Sequence, residues 1–192
     1  MSRDLSREEY TDLFGATEGD RLRLGDTSLL AEVEHDHATY GDEAVFGGGK
    51  TMRDGMGMQS GTTHADGALD WAFTNVVVID PILGVRKGDI GVRNGRIVGV
   101  GKAGNPDTMD GVDEDLVIGP STDTVPADGL IATPGALDIH VHFNSPQLFE
   151  HALASGITTM LGGGYGGGAT TCTPGPQNIK RFLQAAEEWP MN

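Results

Sequence analysis

The order of apolar segments after Pro134 constrains the fold more than any other feature of this chain. Two short apolar runs with strand character alternate with two predicted helices, which cover residues 136–141, 145–155, 157–161 and 177–189 in chain order. Parallel strands need a long crossover connection, and a helix usually supplies it. The sequence therefore predicts that residues 134–192 begin a parallel α/β domain, with the second apolar run as a buried strand.

Residues 1–133 have a different, β-rich character. Ser6 and Glu9 have the spacing of a capping box, so a short helix is expected to end at Gly15. Residues 73–80 are apolar and β-branched, which favours a strand. Asn94-Gly95 separates two further strand-like runs, 89–93 and 96–100, and predicts a tight hairpin. More strand is expected at 124–127 and 129–133, after an acidic loop over 104–123.

His140 and His142 are the candidate metal ligands. Residues two apart in a strand point to the same face, so both imidazoles are predicted to project together from the end of the apolar run 136–141. Neutral imidazoles suit zinc, nickel or iron. The alternative is that two ordinary histidines at a strand end bond to backbone or water. The following helix and the preceding β-rich region favour the metal site.

The chain has a second pair with the same spacing, His35 and His37. This pair lies among the acidic residues Glu32, Glu34 and Asp42, and no apolar strand–helix unit follows it. We therefore predict that it is solvated surface. Two other patterns are weak: residues 48–51 only partly resemble a phosphate-binding loop, and the single cysteine, Cys172, has no base near it in sequence, so a structural thiol is expected.

The composition excludes several classes of function. The chain has 28 acidic and 13 basic residues, a net charge of −15, which disfavours nucleic-acid binding. The acidic excess and the scarcity of lysine suit a protein that works in concentrated salt, or an ordinary acidic protein of the cytosol. One cysteine allows no internal disulfide. The polar N-terminus over residues 1–10 has no apolar signal-peptide core, and no apolar run is long enough for a membrane span. A cytoplasmic location is the expectation.

Several segments together resemble the urease alpha-subunit family, within the amidohydrolase superfamily. Besides the histidine pair they are residues 43–50 (EAVFGGGK), 53–57 (RDGMG), 101–107 (GKAGNPD), 151–156 (HALASG) with 158–160 (TTM), and 169–176 (ATTCTPGP). They span nearly the whole chain in the order of the family. The resemblance implies a small β-sandwich domain over 1–133, followed by the first two βα units of an incomplete (β/α)₈ barrel over 134–192.

The resemblance also implies a chemistry. Ureases hydrolyse urea to ammonia and carbamate at two Ni²⁺ ions, which are bridged by a carbamylated lysine and a hydroxide. By this likeness, His140 and His142 bind one nickel, and the backbone carbonyl of Ala169 accepts a hydrogen bond from urea. The expected partners are urea, the urease beta and gamma subunits in an oligomer, and nickel-loading accessory proteins.

The chain departs from the family pattern in the length of one loop, in two residues and in its total length. The loop 162–168 is about four residues shorter than usual, and Ala136 and Ile139 replace a usual glycine and threonine. The bridging lysine and the remaining ligands of the family would lie beyond Asn192, and a closed barrel takes about 250 residues. We therefore expect a truncated sequence with no catalytic residue of its own, which is inactive in isolation and holds nickel weakly.

Two alternatives remain open. One is another metal-dependent amidohydrolase, of the dihydroorotase or hydantoinase kind, which would share His140 and His142. The other is a non-catalytic structural piece whose role is to contact the urease subunits.

Overall fold

A computed structural model describes residues 4–43, 55–142, 147–162 and 176–192. Besides one turn of 3₁₀ helix at His64–Asp66, three α-helices and ten strands are present in this part of the chain. In chain order they are α1 (Arg7–Phe14), β1 (Arg21–Arg23), β2 (Leu30–Glu32), β3 (His35–Asp36), β4 (Trp71–Asp80), β5 (Gly84–Arg93), β6 (Arg96–Gly101), β7 (Asp123–Pro126), β8 (Ile131–Ala132), β9 (Ala136–Val141), α2 (Gln147–Ala154), β10 (Ile157–Gly162) and α3 (Pro176–Ala186). The protein is thus a strand-rich α/β structure. It divides into two compact units, Met1–Thr133 and Pro134–Asn192.

The capping box at the start of α1 is confirmed. The Ser6 hydroxyl accepts a hydrogen bond from the backbone N–H of Glu9, and the Glu9 carboxylate accepts one from the backbone N–H of Ser6. These bonds satisfy donors that a helix start otherwise leaves unpaired. The helix ends at Gly15, whose φ of 80° is available mainly to glycine.

A six-stranded mixed sheet forms the body of the first unit. The strand order is β3-β5-β4-β7, and β6 and β8 pair with β5 and β4 respectively. Strands β4, β5 and β6 are antiparallel neighbours, whereas β3 runs parallel to β5, and β7 and β8 run parallel to β4. The predicted hairpin between β5 and β6 is confirmed, with φ of 54° at Asn94 and 69° at Gly95.

Two apolar clusters pack against this sheet. The larger contains Leu69, Ala72, Ala103, Leu116 and Ile118, and the smaller contains Val76, Val78 and Ala127. The prediction of a plain acidic loop over 104–123 was incomplete, because Leu116 and Ile118 are each only 1% exposed. Backbone bonds with Gly104 hold these two residues in place, so the loop covers the core despite its acidic residues.

The second unit has the predicted strand–helix–strand–helix order. Strands β9 and β10 pair in parallel, and α2 lies between them in the chain. Phe149 on α2 contacts Phe182 on α3 and Trp189 beyond it, with ring centroids 6.5 and 5.7 Å apart. The helices begin and end within three residues of the predicted bounds.

The prediction that the second apolar run is a buried strand was wrong for this chain. Leu161 on β10 is 58% exposed, and on β9 Leu137 and Ile139 are 64% and 75% exposed. The physical reason is that, in the part of the chain that the structure describes, these two strands pair only with each other and with the backbone of Asn192. Their apolar residues therefore lack the layers that cover a parallel sheet on both faces.

Asn192 makes two backbone hydrogen bonds to β10, although the sheet itself has only two strands among the described residues. Its backbone N–H donates to the carbonyl of Thr158, and its carbonyl accepts from the backbone N–H of Met160. In a parallel pair of strands, one residue bonds in this way to the residues before and after its neighbour, which here is Thr159 of β10.

Candidate metal centre

His140 and His142 lie at the carboxyl end of β9. His140 is the fifth residue of the strand, and His142 directly follows its last residue, Val141. Val141 is buried, whereas both histidines are exposed. The alternation of the strand therefore turns Val141 inward and presents the two imidazoles together on the other face.

The two rings are adjacent. Their Nε2 atoms are 3.2 Å apart, and the ring centroids are 5.2 Å apart with an angle of 37° between the planes. The backbone N–H of His140 donates to Oδ1 of Asp138 at 3.0 Å, which anchors the strand next to the first ring. In the free chain the same Nε2 separation allows one neutral ring to donate a hydrogen bond to the other.

This donor pair fits a transition-metal ion. Two nitrogens bound tetrahedrally to one ion at about 2.0–2.1 Å stand roughly 3.3 Å from each other, close to the observed separation. Imidazole is also a suitable ligand for nickel, zinc and iron. Two ligands are nevertheless fewer than a stable centre needs, and the described residues contain no group of three or more histidine, cysteine, aspartate or glutamate side chains that could hold an ion.

Three sequence-based predictions lie outside the described residues. They concern the carbonyl of Ala169, the thiol of Cys172, and the weak phosphate-loop pattern over 48–51. The first two stay predictions.

The second histidine pair differs from the sequence-based expectation. His35 is exposed and lies 3.7 Å from a carboxylate oxygen of Glu18, but His37 is half-buried. The prediction of solvated surface was therefore wrong for His37, because β3 pairs with β5 and the backbone N–H of His37 donates to the carbonyl of Lys87. The two rings meet edge to face, with centroids 4.6 Å apart.

Burial changes the chemistry of His37. Its Nε2 is enclosed and has no hydrogen-bond partner among the described residues. Burial, and then the neighbouring His35, lower the pKa of His37, since a positive charge is unfavourable there. We therefore interpret the imidazole of His37 as a packing side chain.

Sequence reasoning missed a group of buried titratable side chains in the first unit. Lys87 is fully buried, with its Nζ 3.5 Å from the Tyr10 hydroxyl and 3.8 Å from Oδ2 of Asp36. Burial lowers the pKa of Lys87, against the opposing pull of Asp36 and Glu43. Asp89 lies two residues further along β5 and is 6% exposed. The only signal in the sequence was the spacing of Lys87 and Asp89, which places both on one face of the strand.

A second buried lysine is fully paired. Lys102 Nζ donates to Oδ2 of Asp42 at 2.9 Å, to the Thr39 hydroxyl at 3.0 Å and to the carbonyl of Asp110 at 2.5 Å. Two of the four lysines of this chain thus hold segments of the first unit together from inside.

Among residues 4–43, 55–142, 147–162 and 176–192, every helix falls short of the length and apolar character that crossing a bilayer requires.

Two protein families match the chain. Residues 3–125 match the N-terminal domain of the urease alpha subunit, and residues 131–192 match the amidohydrolase family. The boundary between these matches falls close to the boundary between the two structural units.

Curated relatives agree with this match over the whole chain. Urease subunit alpha of Natronomonas pharaonis is 88% identical, that of Haloquadratum walsbyi 83% and that of Haloarcula marismortui 70%, each over all 192 residues. The chain spans 34% of the length of each of these relatives. The acidic, lysine-poor composition fits these homologues, which are halophilic.

Proposed function

The chain belongs to the urease alpha-subunit family, and from that premise we propose that it forms part of a nickel enzyme that hydrolyses urea to ammonia and carbamate. The observation that carries this proposal is the pair of Nε2 atoms, 3.2 Å apart at the end of β9, in a region that matches the amidohydrolase family. The family match over residues 3–125 favours urease over a dihydroorotase-like or hydantoinase-like enzyme.

In this proposal His140 and His142 hold one of two Ni²⁺ ions. A divalent ion at such a site polarises a carbonyl oxygen and lowers the pKa of bound water. In this proposal the chain contributes two imidazole rings held in a fixed position. Strand β9 aims both rings to one side, and the bond from the His140 backbone to Asp138 stabilises the end of the strand. The remaining ligands, including a carbamylated lysine, would come from the part of the relatives that this chain does not match.

The finer description of the fold belongs to the same proposal. We propose that residues 1–133 are a β-sandwich domain of the urease type and that residues 134–192 are the first two βα units of a (β/α)₈ barrel. The parallel pairing of β9 and β10 supports this, and so does Asn192 on the free edge of β10. The carboxyl ends of the strands form the active-site face of such a barrel, and His140 and His142 lie at the carboxyl end of β9, which supports the proposal.

The partners follow from the family alone. We propose that the complete enzyme assembles with beta and gamma urease subunits and receives nickel from accessory proteins. The carbonyl of Ala169 as a hydrogen-bond acceptor for urea is part of this proposal.

Metal content tests the ligand assignment. The assay uses a chimera in which these 192 residues replace the matching third of the Natronomonas pharaonis relative. His140→Ala and His142→Ala are each expected to reduce bound nickel from two ions towards one per site, measured by elemental analysis of the purified assembly. His35→Ala is the matched control, since it has the same His-x-His spacing and is expected to keep both ions. Full nickel content in either His140 or His142 variant would reject the assignment.

The expectation that the chain is inactive in isolation is tested on the chain itself. We expect the 192-residue chain to show no urea hydrolysis and to bind Ni²⁺ weakly, because two imidazoles are an incomplete ligand set. Ammonia release and nickel titration measure both properties. Measurable hydrolysis by the chain alone would contradict the proposal that further ligands are required.

A further inference from the structure

Asp89 stands opposite an irregularity in the central sheet. Phe73 pairs with Ile90, and Val76 pairs with Gly88, so two residues of β4 face the single residue Asp89. This two-against-one arrangement is a β-bulge. Asn75, the second of the two residues, has φ of 58°, which few residues other than glycine adopt within a strand.

The Asp89 carboxylate joins two separate segments of backbone. Its Oδ1 accepts a hydrogen bond from the backbone N–H of Asn75 at 2.9 Å, and its Oδ2 accepts one from the backbone N–H of Ala103 at 2.7 Å. The first donor belongs to the bulge in β4, and the second belongs to the segment that leaves β6. Both N–H groups need a partner because they are buried with the carboxylate.

We propose that Asp89 is a proton-sensitive latch whose ionised form holds the N–H groups of Asn75 and Ala103 and whose protonated form releases that of Asn75. An ionised carboxylate accepts at both oxygens, whereas a protonated one carries a hydrogen on one of them. The protonated oxygen is a much weaker acceptor than a carboxylate oxygen, so the N–H group bonded to it is held less tightly. As part of this proposal we assign the proton to Oδ1, because the bond from Asn75 is the longer, and therefore the weaker, of the two.

The charges around Asp89 come from several elements. Lys102 follows β6, Lys87 shares β5, and Asp36 lies on β3, while Asp42 and Glu43 line the same small cavity as Asp89. Burial raises the pKa of Asp89 to about 6, although the two backbone bonds and Lys102 act in the opposite direction. The latch is therefore expected to operate near pH 6.

Protonation of Asp89 is expected to stabilise the folded chain as a whole and to weaken the structure of the bulge. Protonation removes the cost of burying a charge, which favours the folded chain, and it gives up one hydrogen bond, which loosens the bulge. A chain in mild acid is thus expected to be folded but to have a more open β4 at Asn75.

Nuclear magnetic resonance on the 192-residue chain tests the latch. The ¹³C signal of the Asp89 carboxyl is expected to titrate with a midpoint near pH 6. Between pH 7 and pH 5 the hydrogen-exchange protection factor of the Asn75 amide is expected to fall about tenfold, the value of one hydrogen bond, while that of Ala103 changes less than about twofold. A carboxyl midpoint below about 4.5, or equal changes at both amides, would overturn the proposal.

Asp89→Asn imitates the protonated form, because its side chain has one accepting oxygen. In this variant the Asn75 amide is expected to be weakly protected at both pH values. Asp80→Asn is the matched control: Asp80 also accepts two backbone N–H groups, from Ile82 and Leu83, but it is only half-buried, next to a turn, and those bonds lower its pKa. The control is expected to keep the transition near pH 6. If Asp89→Asn does not fold, the wild-type titration decides alone.

Discussion

The same three-residue pattern, His-x-His, occurs in both structural units with opposite consequences. At the end of β9 the two rings are exposed, and their Nε2 atoms are 3.2 Å apart. At β3 the rings meet edge to face, one of them is half-buried, and its Nε2 is enclosed without a partner among the described residues.

The backbone around each pair explains the difference. His140 and His142 alternate with the buried Val141, so the strand presents both rings on one side. His35 begins the two-residue strand β3, and His37 lies just past its end and packs against Gly88 of β5. Spacing alone therefore does not define a metal site. The strand must also leave both imidazoles open to an ion from the same side.

Catalysis provides the strongest test of the difference between the two histidine pairs. In the chimera with the Natronomonas pharaonis relative, His140→Ala combined with His142→Ala is expected to reduce urea hydrolysis at least about a thousandfold. Loss of an ion removes several kcal/mol of transition-state stabilisation. Ammonia release measures the rate.

The control for catalysis is the double variant His35→Ala with His37→Ala, which is expected to retain activity within about twofold once its folding is verified. If the two double variants lose activity equally, the distinction between the pairs fails.

A second test concerns the buried charges of the first unit. Lys87→Met keeps the length of the side chain and removes its charge, which leaves Asp36 and Glu43 without their buried cation. The free energy of unfolding is expected to fall by about 3–5 kcal/mol, as when one partner of a buried ion pair is removed. Unfolding in guanidinium chloride measures it, which avoids urea, the proposed substrate.

Lys180→Met provides the matched control for this test. Lys180 lies exposed on α3, so the same substitution is expected to change the free energy of unfolding by less than about 0.5 kcal/mol. Similar losses in the two variants would show that the burial of Lys87 is not what makes its charge important.

A smaller effect is expected on the pH dependence of the stability that His37 contributes. Because its pKa is lowered in the folded chain, the unfolded chain binds the proton more readily. The stability that His37 contributes is therefore present above the unfolded pKa of about 6.5 and is lost as the pH falls through the folded pKa. The difference in unfolding free energy between wild type and His37→Leu is expected to decrease from pH 7 to pH 5. A difference independent of pH would contradict the burial of this ring.

Local signals account for most of the correct sequence predictions. The capping box of Ser6 and Glu9 and the Asn94-Gly95 hairpin depend on residues within a few positions of each other, and both were confirmed. The projection of His140 and His142 to the same side was also predicted from the period of a single strand, whereas their role as metal ligands stays a prediction. Such features are predictable because their hydrogen bonds close within one element.

Features that depend on distant partners were missed. Leu116 and Ile118 looked like parts of an acidic loop, yet they complete a cluster with Leu69 and Ala103. The bulge at Asn75 is satisfied by a side chain from the neighbouring strand. Neither pairing has a signature in the residues immediately around it.

The kinds of element, their order and the chemical character of the residues at each strand end were predictable from the sequence, because these follow from local backbone preferences and from side-chain period. Which titratable groups are buried, and which of the two histidine pairs is open, became clear from the three-dimensional packing. Burial depends on what the rest of the chain packs over a residue. It is burial that turns Asp89, His37 and Lys87 from ordinary charged side chains into groups with altered chemistry.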